Sequence, residues 1–259
     1  MDSVEIKLSI ITPCFNAKQF ISKCIENVIQ QNCPNIEHLI LDGGSTDGTI
    51  ELIESYTRHY SHIRFLSEQD KGQSDAMNKG IQLAKGTYIG FLNADDGYMP
   101  FTLNRVVELI NRQQQQPVVL VGNCKLVTTD FQVRYINRPQ RLQAYHLYSG
   151  LEPYPINPCA YFYAKTIHTH SGVGLYDIEN HFNMDYDFFL KVCLHFPLIY
   201  HNEDWGYMLD HAEAKTAKDQ LSSKLEERKK FLLQERLIRA PKIIKLQSYL
   251  YKLKKYVLG

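Results

Sequence analysis

The stretch Ile89-Gly90-Phe91-Leu92-Asn93-Ala94-Asp95-Asp96 decides how the rest of the chain is read, because an apolar run ends there in two adjacent carboxylates. A short apolar run bounded by turn residues reads as a buried strand. Open α/β sheets bind their ligands outside the carboxyl ends of such strands, so Asp95 and Asp96 are expected at the lip of a crevice. Side by side they repel one another, and a divalent cation or a basic side chain is the natural compensation. Oxygen ligands favour a hard ion, Mg2+ or Mn2+, which also holds phosphate. Taken alone, Asp-Asp-Gly is equally ordinary turn chemistry; the sequence upstream decides between the two.

Working upstream, Leu8 to Thr12 is a short apolar strand broken by Pro13, and Phe20, Ile21, Cys24, Ile25, Val28 and Ile29 then recur at helical spacing. Ile36 to Leu41 is a second strand. Asp42-Gly43-Gly44-Ser45-Thr46-Asp47-Gly48 closes it, with a helix cap expected at Ser45 or Thr46. Ile50 to Tyr60 is helical, Ile63 to Leu66 a third strand, and Asp70-Lys71-Gly72 a turn into a helix carrying Asp75, Met77, Asn78 and Ile81. Four β-α units in succession predict a mostly parallel, doubly wound sheet with its β-α turns on one edge.

Downstream, a helix is expected over 101–116. Val118 to Val121, Lys125 to Thr129 and Gln132 to Ile136 read as strands, the last two as a hairpin about Asp130. The proline-bearing stretch 138–158 is expected to be an irregular loop over the cleft, Ala160 to Ala164 another strand, and Met184 to Leu194 a helix opened by Asp185 and Asp187. Tyr145, Tyr148, Tyr154, Tyr161, Phe162 and Tyr163 serve either as stacking walls for a ligand or as core, and Trp205 as either.

The 259 residues carry a net charge of +1, which argues against bulk affinity for nucleic acid. The charge is unevenly placed: from Lys224 to the end there are eleven Lys and Arg against three Glu, a net of +8 that leaves −7 on residues 1–223. Leu221 to Leu237 reads as a charged helix, and beyond Pro241 an amphipathic helix alternates apolar residues with lysines. Such a basic tail can lie on an anionic bilayer, pack on the body, or pair with a second copy in a homodimer. Six singly placed cysteines, with no secretory signal at the start, suggest neither a zinc site nor a disulfide framework and fit a reducing cytoplasm. No apolar stretch is long enough to span a membrane, so any membrane contact is expected to be peripheral, on the inner face.

Ser9-Ile-Ile-Thr-Pro-Cys-Phe-Asn16, Asp42-Gly-Gly-Ser-Thr-Asp-Gly-Thr49, Asp70-Lys-Gly72 with Asp75-Ala-Met-Asn-Lys-Gly80, and Asn93-Ala-Asp-Asp96 occur in that order. Together they resemble glycosyltransferase family 2, and within it the bacterial enzymes that build O-antigen and capsule repeat units. The resemblance is dense over residues 8–100 and traceable to about 216. It implies a GT-A fold: a mostly parallel sheet with a small antiparallel acceptor-side portion. Residues 1–216 would form the transferase domain, with a nucleotide-sugar half over 1–100 and an acceptor half over 101–216, and 217–259 a helical appendage.

The resemblance also implies roles. Asp95 matches the last carboxylate of the family's Asp-x-Asp motif and would bind Mg2+ or Mn2+ on the donor diphosphate, with Asp96 assisting and Asn93 in the first position, where the family usually has Asp. Pro13, Phe15 and Asn16 match the first turn, which holds base and ribose, with Phe15 placed against the base. Asp42 matches the first residue of an Asp-Asp pair whose second member, a uracil contact in related enzymes, is Gly43 here. Lys71, Asp75 and Asn78 match polar cleft positions toward ribose, phosphate or donor sugar; read without the resemblance they are a turn lysine, a first-turn helix acid and a solvated helix face. Met184-Asp-Tyr-Asp187 resembles the catalytic motif, with Asp185 as the base on the acceptor hydroxyl and Asp187 as a helix-start or supporting residue; alone, Asp185 reads as a helix cap. His211 stands where many relatives have a late His or Gly near the diphosphate and would take a metal or phosphate role, or is a surface histidine.

The expected activity is inverting transfer of a sugar from a nucleotide-diphosphate sugar, UDP-linked, to a glycan acceptor, lipid-linked, in bacterial surface polysaccharide synthesis. Two alternatives remain: a transferase for a non-lipid acceptor, and a catalytically silent nucleotide-sugar binding or scaffold protein, the latter motivated by Asn93 and Gly43.

Overall fold

A computed structural model describes residues 5–113, 116–180, 183–212, 214 and 240–258. A nine-stranded sheet runs through it in the order β3-β2-β1-β4-β8-β6-β9-β5, with β7 paired to the free part of β6. The strands are β1 (Leu8–Cys14), β2 (Ile36–Asp42), β3 (Ile63–Ser67), β4 (Tyr88–Phe91), β5 (Gly97–Tyr98), β6 (Val119–Thr128), β7 (Val133–Asn137), β8 (Tyr161–Ala164) and β9 (Leu198–Asp210). β3, β2, β1 and β4 are mutually parallel, β8 is antiparallel to both β4 and β6, and β9 runs parallel to β6. The mostly parallel α/β sheet read from the sequence is therefore the one that forms.

Alternation along β2 sends its side chains to two cores, because successive residues face opposite sides of a sheet. In β2, Leu39 and Leu41 join the main core, while Ile40 joins a smaller one with Ile21, Ile25, Ile53 and Ile63. Helices α1 (Ile21–Gln30) and α2 (Thr49–Thr57) supply the smaller core. Helix α3 (Gln73–Leu83) packs on the other face, where a Cβ at Gly80 would lie 2.4 Å from Ile11 Cγ2. Glycine is what lets helix and strand approach that closely.

Several local expectations change. Ser45 and Thr46 do not cap α2, which starts at Thr49; Asp47 accepts hydrogen bonds from the Thr49 amide and hydroxyl instead. The segments 118–121 and 125–129 are one strand, β6, kept continuous by β9 alongside, and β9 and β5 lie where the sequence pattern predicts no strand. The stretch 138–158 contains helix α5 (Ala144–Ser149), whose Leu147 and Tyr148 are buried and which ends at Gly150 in the left-handed region, φ 68°. Helices α4 (Thr102–Arg112) and α6 (Met184–Val192) are shorter than their apolar periodicity suggests. Tyr148, Tyr161, Phe162, Tyr163 and Trp205 are core residues.

The last helix, α7 (Lys242–Leu258), begins directly after Pro241 and contains no proline itself. That placement suits proline, whose missing N–H costs nothing just ahead of a helix. The charged helix expected over 221–237 and the boundary expected near 216 lie outside the described residues. No helix among the described residues is long and apolar enough to cross a membrane.

Candidate active site

Strand direction alone gathers the site. β1, β2 and β4 run parallel, so the residues that follow them emerge on one edge of the sheet. β8 runs against β4, with Gly90 opposite Phe162, and therefore begins on that edge at Tyr161. β9 shares the direction of β6, and so of β4, and ends there just before His211. Phe15, Asn16, Asp42, Asn93, Asp95, Tyr161 and His211 are thus brought together from distant parts of the chain.

The two adjacent carboxylates take different positions. Asp95 stays in the cleft, its side chain 28% exposed, with its Oδ2 3.0 Å from His211 Nε2. The His211 side chain is only 9% exposed and its ring lies 4.7 Å from that of Phe20, so the surface-histidine alternative does not hold. Asp96 turns inward. Its Oδ2 accepts from Asn93 Nδ2 at 2.8 Å and Asn157 Nδ2 at 2.7 Å, and its Oδ1 from the Leu209 amide at 3.2 Å. Burial, followed by the charge of Asp95, pushes the Asp96 carboxyl up to about 7. Asp96, expected to assist with the metal, is instead engaged in pinning the β4 end to the segment before β8 and to β9. Asn93 bridges Asp96 and Gln73, whose Nε2 donates to Asn93 Oδ1 at 3.0 Å.

No group of three or more His, Cys, Asp or Glu that could hold a metal is found among the described residues. Asp95 with His211 still fits Mg2+ or Mn2+, since such ions are commonly held by one or two protein ligands and otherwise by substrate phosphates and water. A carboxylate beside an imidazole in a half-open cleft is a donor set of that kind.

On the nucleotide side, Phe15 is 64% exposed at the end of β1, a flat apolar surface left largely uncovered by the described residues. Pro13 is buried within β1. Asn16, in the left-handed region at φ 48°, accepts from the Thr46 amide through Oδ1 and donates its own amide to Ser45 Oγ at 2.7 Å, clipping the first loop to the second. Asp42 is 2% exposed. Its carboxylate accepts from the Gly44 and Ser45 amides at 3.0 Å, from Ser67 Oγ at 2.7 Å and from Ser45 Oγ at 2.5 Å. It shapes the loop rather than offering its oxygens to the cleft.

Beside it, a Cβ at Gly43 would lie 2.7 Å from Asp70 Oδ2, so a carboxylate stands where position 43 has no side chain. Lys71 is exposed and its amide donates to Asp75 Oδ2 at 3.0 Å; Asp75 also pairs with Lys79 at 3.5 Å. Asn78, expected toward the donor, is buried and pairs both amide atoms with the Tyr176 main chain, at 2.8 and 2.9 Å. It fastens α3 to the acceptor-side segment.

Asp185 sits in the first turn of α6, where Tyr161 Oη donates to its Oδ1 at 2.5 Å. Burial, then the charge of Asp185, holds the Tyr161 hydroxyl well above its ordinary range, so it remains a donor. Behind it, Tyr163 Oη lies 3.3 Å from Tyr176 Oη and 2.9 Å from His168 Nε2, and His168 Nδ1 is 2.8 Å from the Gly174 carbonyl. A carbonyl only accepts, so Nδ1 carries the proton and Nε2 takes the Tyr163 hydroxyl. Asp187 pairs with Lys191 at 2.6 Å, four residues along the helix. Ser74 Oγ, in the first turn of α3, donates to the Asn180 carbonyl at 3.2 Å and so ties the donor-side helix to the entrance of α6. Asn157 and Gln73 are not legible as site residues in the sequence; Tyr161 is read there only as a stacking or core aromatic and Asp70 only as part of a turn motif, and the Asn-Pro before β8 and the glycine at 43 are the only hints of their roles.

The family described as Glycosyl transferase family 2 matches residues 9–169. An uncharacterized glycosyltransferase of Escherichia coli K12, YibD, is 39% identical over 94 residues, which cover 36% of this chain and 27% of YibD. The chain spans less than half the length of the curated relatives it matches. Among solved structures, S. aureus TarS 1-349 in complex with UDP-GlcNAc superposes with a TM-score of 0.64 at 16% identity, covering 93% of this chain and 78% of that one. The mannosyltransferase PcManGT from Pyrobaculum calidifontis, in complex with GDP-Man and Mn2+, gives 0.62 at 16% identity, over 94% and 69%. At such identities the likeness establishes the fold.

Proposed function

The chain belongs to glycosyltransferase family 2, with a GT-A fold, and from that membership we propose that it transfers a sugar, with inversion, from a nucleotide-diphosphate sugar to a glycan acceptor. The observation that carries this reading is the pairing, on one sheet edge, of Asp95 with His211 and of Asp185 with Tyr161. The first pair would face the donor diphosphate and the second the acceptor hydroxyl.

When bound, Mg2+ or Mn2+ supplies Lewis-acid stabilisation of the departing diphosphate. Asp95 and His211 would hold it, and the partnership of PcManGT with Mn2+ supports that choice of ion. The Phe15 ring offers a face to the base. Asp70, beside Gly43, offers a carboxylate acceptor for a base N–H and supports a uracil nucleotide, as does the UDP-GlcNAc bound to TarS. Lys71, exposed on the rim, would meet phosphate or donor sugar. Asp42, Asp75, Asn78, Asn93 and Asp96 act at one remove, fixing the loops on which these groups stand.

Asp185 would remove the acceptor proton as the hydroxyl attacks the anomeric carbon. Positioned bases of this kind contribute about 10² to 10⁴ in rate. Tyr161 orients the carboxylate and stabilises its charged form, as a donated hydrogen bond does. The acceptor we infer is a lipid-linked glycan of a bacterial surface polysaccharide, following the resemblance of the motifs to that subgroup. The test is transfer by the full chain with Mn2+ and UDP-sugars, followed as UDP release. Asp185→Asn should lower kcat by about a thousandfold while nucleotide affinity is kept. Full activity in that variant would remove Asp185 from the mechanism.

A further inference from the structure

Helix α7 divides into two faces. Ile244, Ser248, Tyr251 and Lys255 recur at steps of four, three and four, which at about 100° per residue is one side of a helix. This side is docked. Ser248 Oγ donates to the Tyr145 carbonyl at 3.0 Å, the Tyr251 ring lies 4.7 Å from His146, and Arg141 Nη1 donates to Tyr251 Oη at 2.7 Å. Lys255 Nζ meets Glu152, whose side chain is 9% exposed, at 2.6 Å. Ile244 packs against the main core.

The opposite side carries Ile243, Leu246, Tyr249, Leu250, Leu253 and Tyr256, exposed by 42% to 83% among the described residues. On the same helical projection this stripe is centred about 180° from the docked side. Lys245 and Lys252 border it on one flank and Lys254 on the other, and no acidic residue occurs from Lys242 to Leu258. Soluble surfaces scatter such residues singly, whereas a contiguous apolar stripe marks a contact.

We propose that the outer face of α7 lies on an anionic lipid surface. The apolar stripe would enter the boundary of the acyl chains while the flanking lysines meet lipid phosphates. A second copy of the chain is the less suitable occupant, because antiparallel or parallel pairing of two such faces brings lysines against lysines with no acid to separate them. The inner contacts give this docking a consequence. α7 holds α5, and α5 holds α6 through Tyr148 Oη to the Leu190 carbonyl at 3.0 Å and Tyr186 Oη to the Leu147 carbonyl at 2.9 Å. A bilayer under α7 is thereby coupled to the helix that carries Asp185, the side on which a lipid-linked acceptor would enter. That last step rests on the proposed function; the lipid contact itself does not.

The experiment is co-sedimentation of the full chain with phosphatidylcholine vesicles made with or without phosphatidylglycerol. Binding should be about a hundredfold stronger to the anionic vesicles, given several lysines near the surface. It should be lost in Leu246→Glu/Leu253→Glu and weakened in Lys245→Gln/Lys254→Gln. Stabilisation of both variants by UDP with Mn2+, measured without vesicles, should equal that of the native chain, which separates lipid docking from the donor-site reading. Equal sedimentation of native and Leu→Glu chains would overturn the proposal. So would a native chain that stays in solution with anionic vesicles, or a concentration-dependent dimer that the Leu→Glu variant abolishes.

Discussion

Asp95 and Asp96 are covalent neighbours, and what separates their roles is which partners the fold brings to each. Asp96 receives a side chain and a backbone amide from positions 61 and 113 residues away, while Asp95 meets a histidine 116 residues on. Asp185 is defined in the same way, by the Tyr161 hydroxyl. Hydrogen bonds to a charged group contribute about 1.5 to 3 kcal/mol, so Tyr161→Phe should move the acidic limb of the kcat/KM profile upward by about one pH unit. Folding and nucleotide affinity should remain close to native. A pH–rate profile over the acid range checks this, and an unmoved limb would show that Tyr161 does not act on the base. None of these partnerships can be read from the sequence, because a carboxylate's neighbours across the sheet leave no local pattern; the carboxylates at 42, 95 and 96 can, since each closes an apolar run.

The strands and helices are legible in proportion to how local their causes are. β1 to β4 and α1 to α3 follow from apolar periodicity and from Gly and Asp at the turns, and they form within a few residues of expectation. β9 is not legible because its residues are mostly half-buried and mixed in character, and its place depends on β6 lying beside it. The join between those two strands makes its own prediction. A Cβ at Gly122 would sit 2.3 Å from Trp205 Cδ2, and Trp205 is buried against Phe162 and His201 and cannot easily move. Gly122→Ala should therefore destabilise the fold by about 2 kcal/mol, as overpacking of a close-packed core does. Urea unfolding measures it, and a loss well below about 1 kcal/mol would mean that the Trp205 contact is looser than it stands.

For the molecule as a whole, the buried histidines and the buried Asp96 pull stability in opposite directions as pH falls. Burial pushes His168 down to about 4 and His38, with a further contribution from His62, down to about 3. Both are neutral in the folded protein at pH values where the unfolded chain, with histidines near about 6.5, binds protons. At these two histidines the unfolded state gains protons first as pH falls, so their contribution is full above about 6.5 and drains away as pH falls toward about 4 and 3; Asp96, protonated in the folded protein up to about 7, acts in the opposite sense over the same range. At about 1.4 kcal/mol per unit of displacement, His168 alone accounts for at most about 3 kcal/mol of that loss. Melting temperature measured across this range should drop relative to that of His168→Gln as pH falls; parallel profiles for the two chains would show that His168 does not contribute to the acid response.

The same scale holds the central claim, that ends of strands distributed along the whole chain assemble a single donor site whose cation ligand is Asp95. Nucleotide-induced thermal shift with and without Mn2+ tests it most directly, since a ligand that binds only the folded state raises the melting temperature. With UDP near saturation the native chain should gain about 5 °C or more in Mn2+, more than with GDP, and much less in chelator. Asp95→Asn should lose the Mn2+-dependent part while Asp185→Asn keeps all of it; an Asp95→Asn chain that still responds to UDP and Mn2+ as the native chain does would contradict the account.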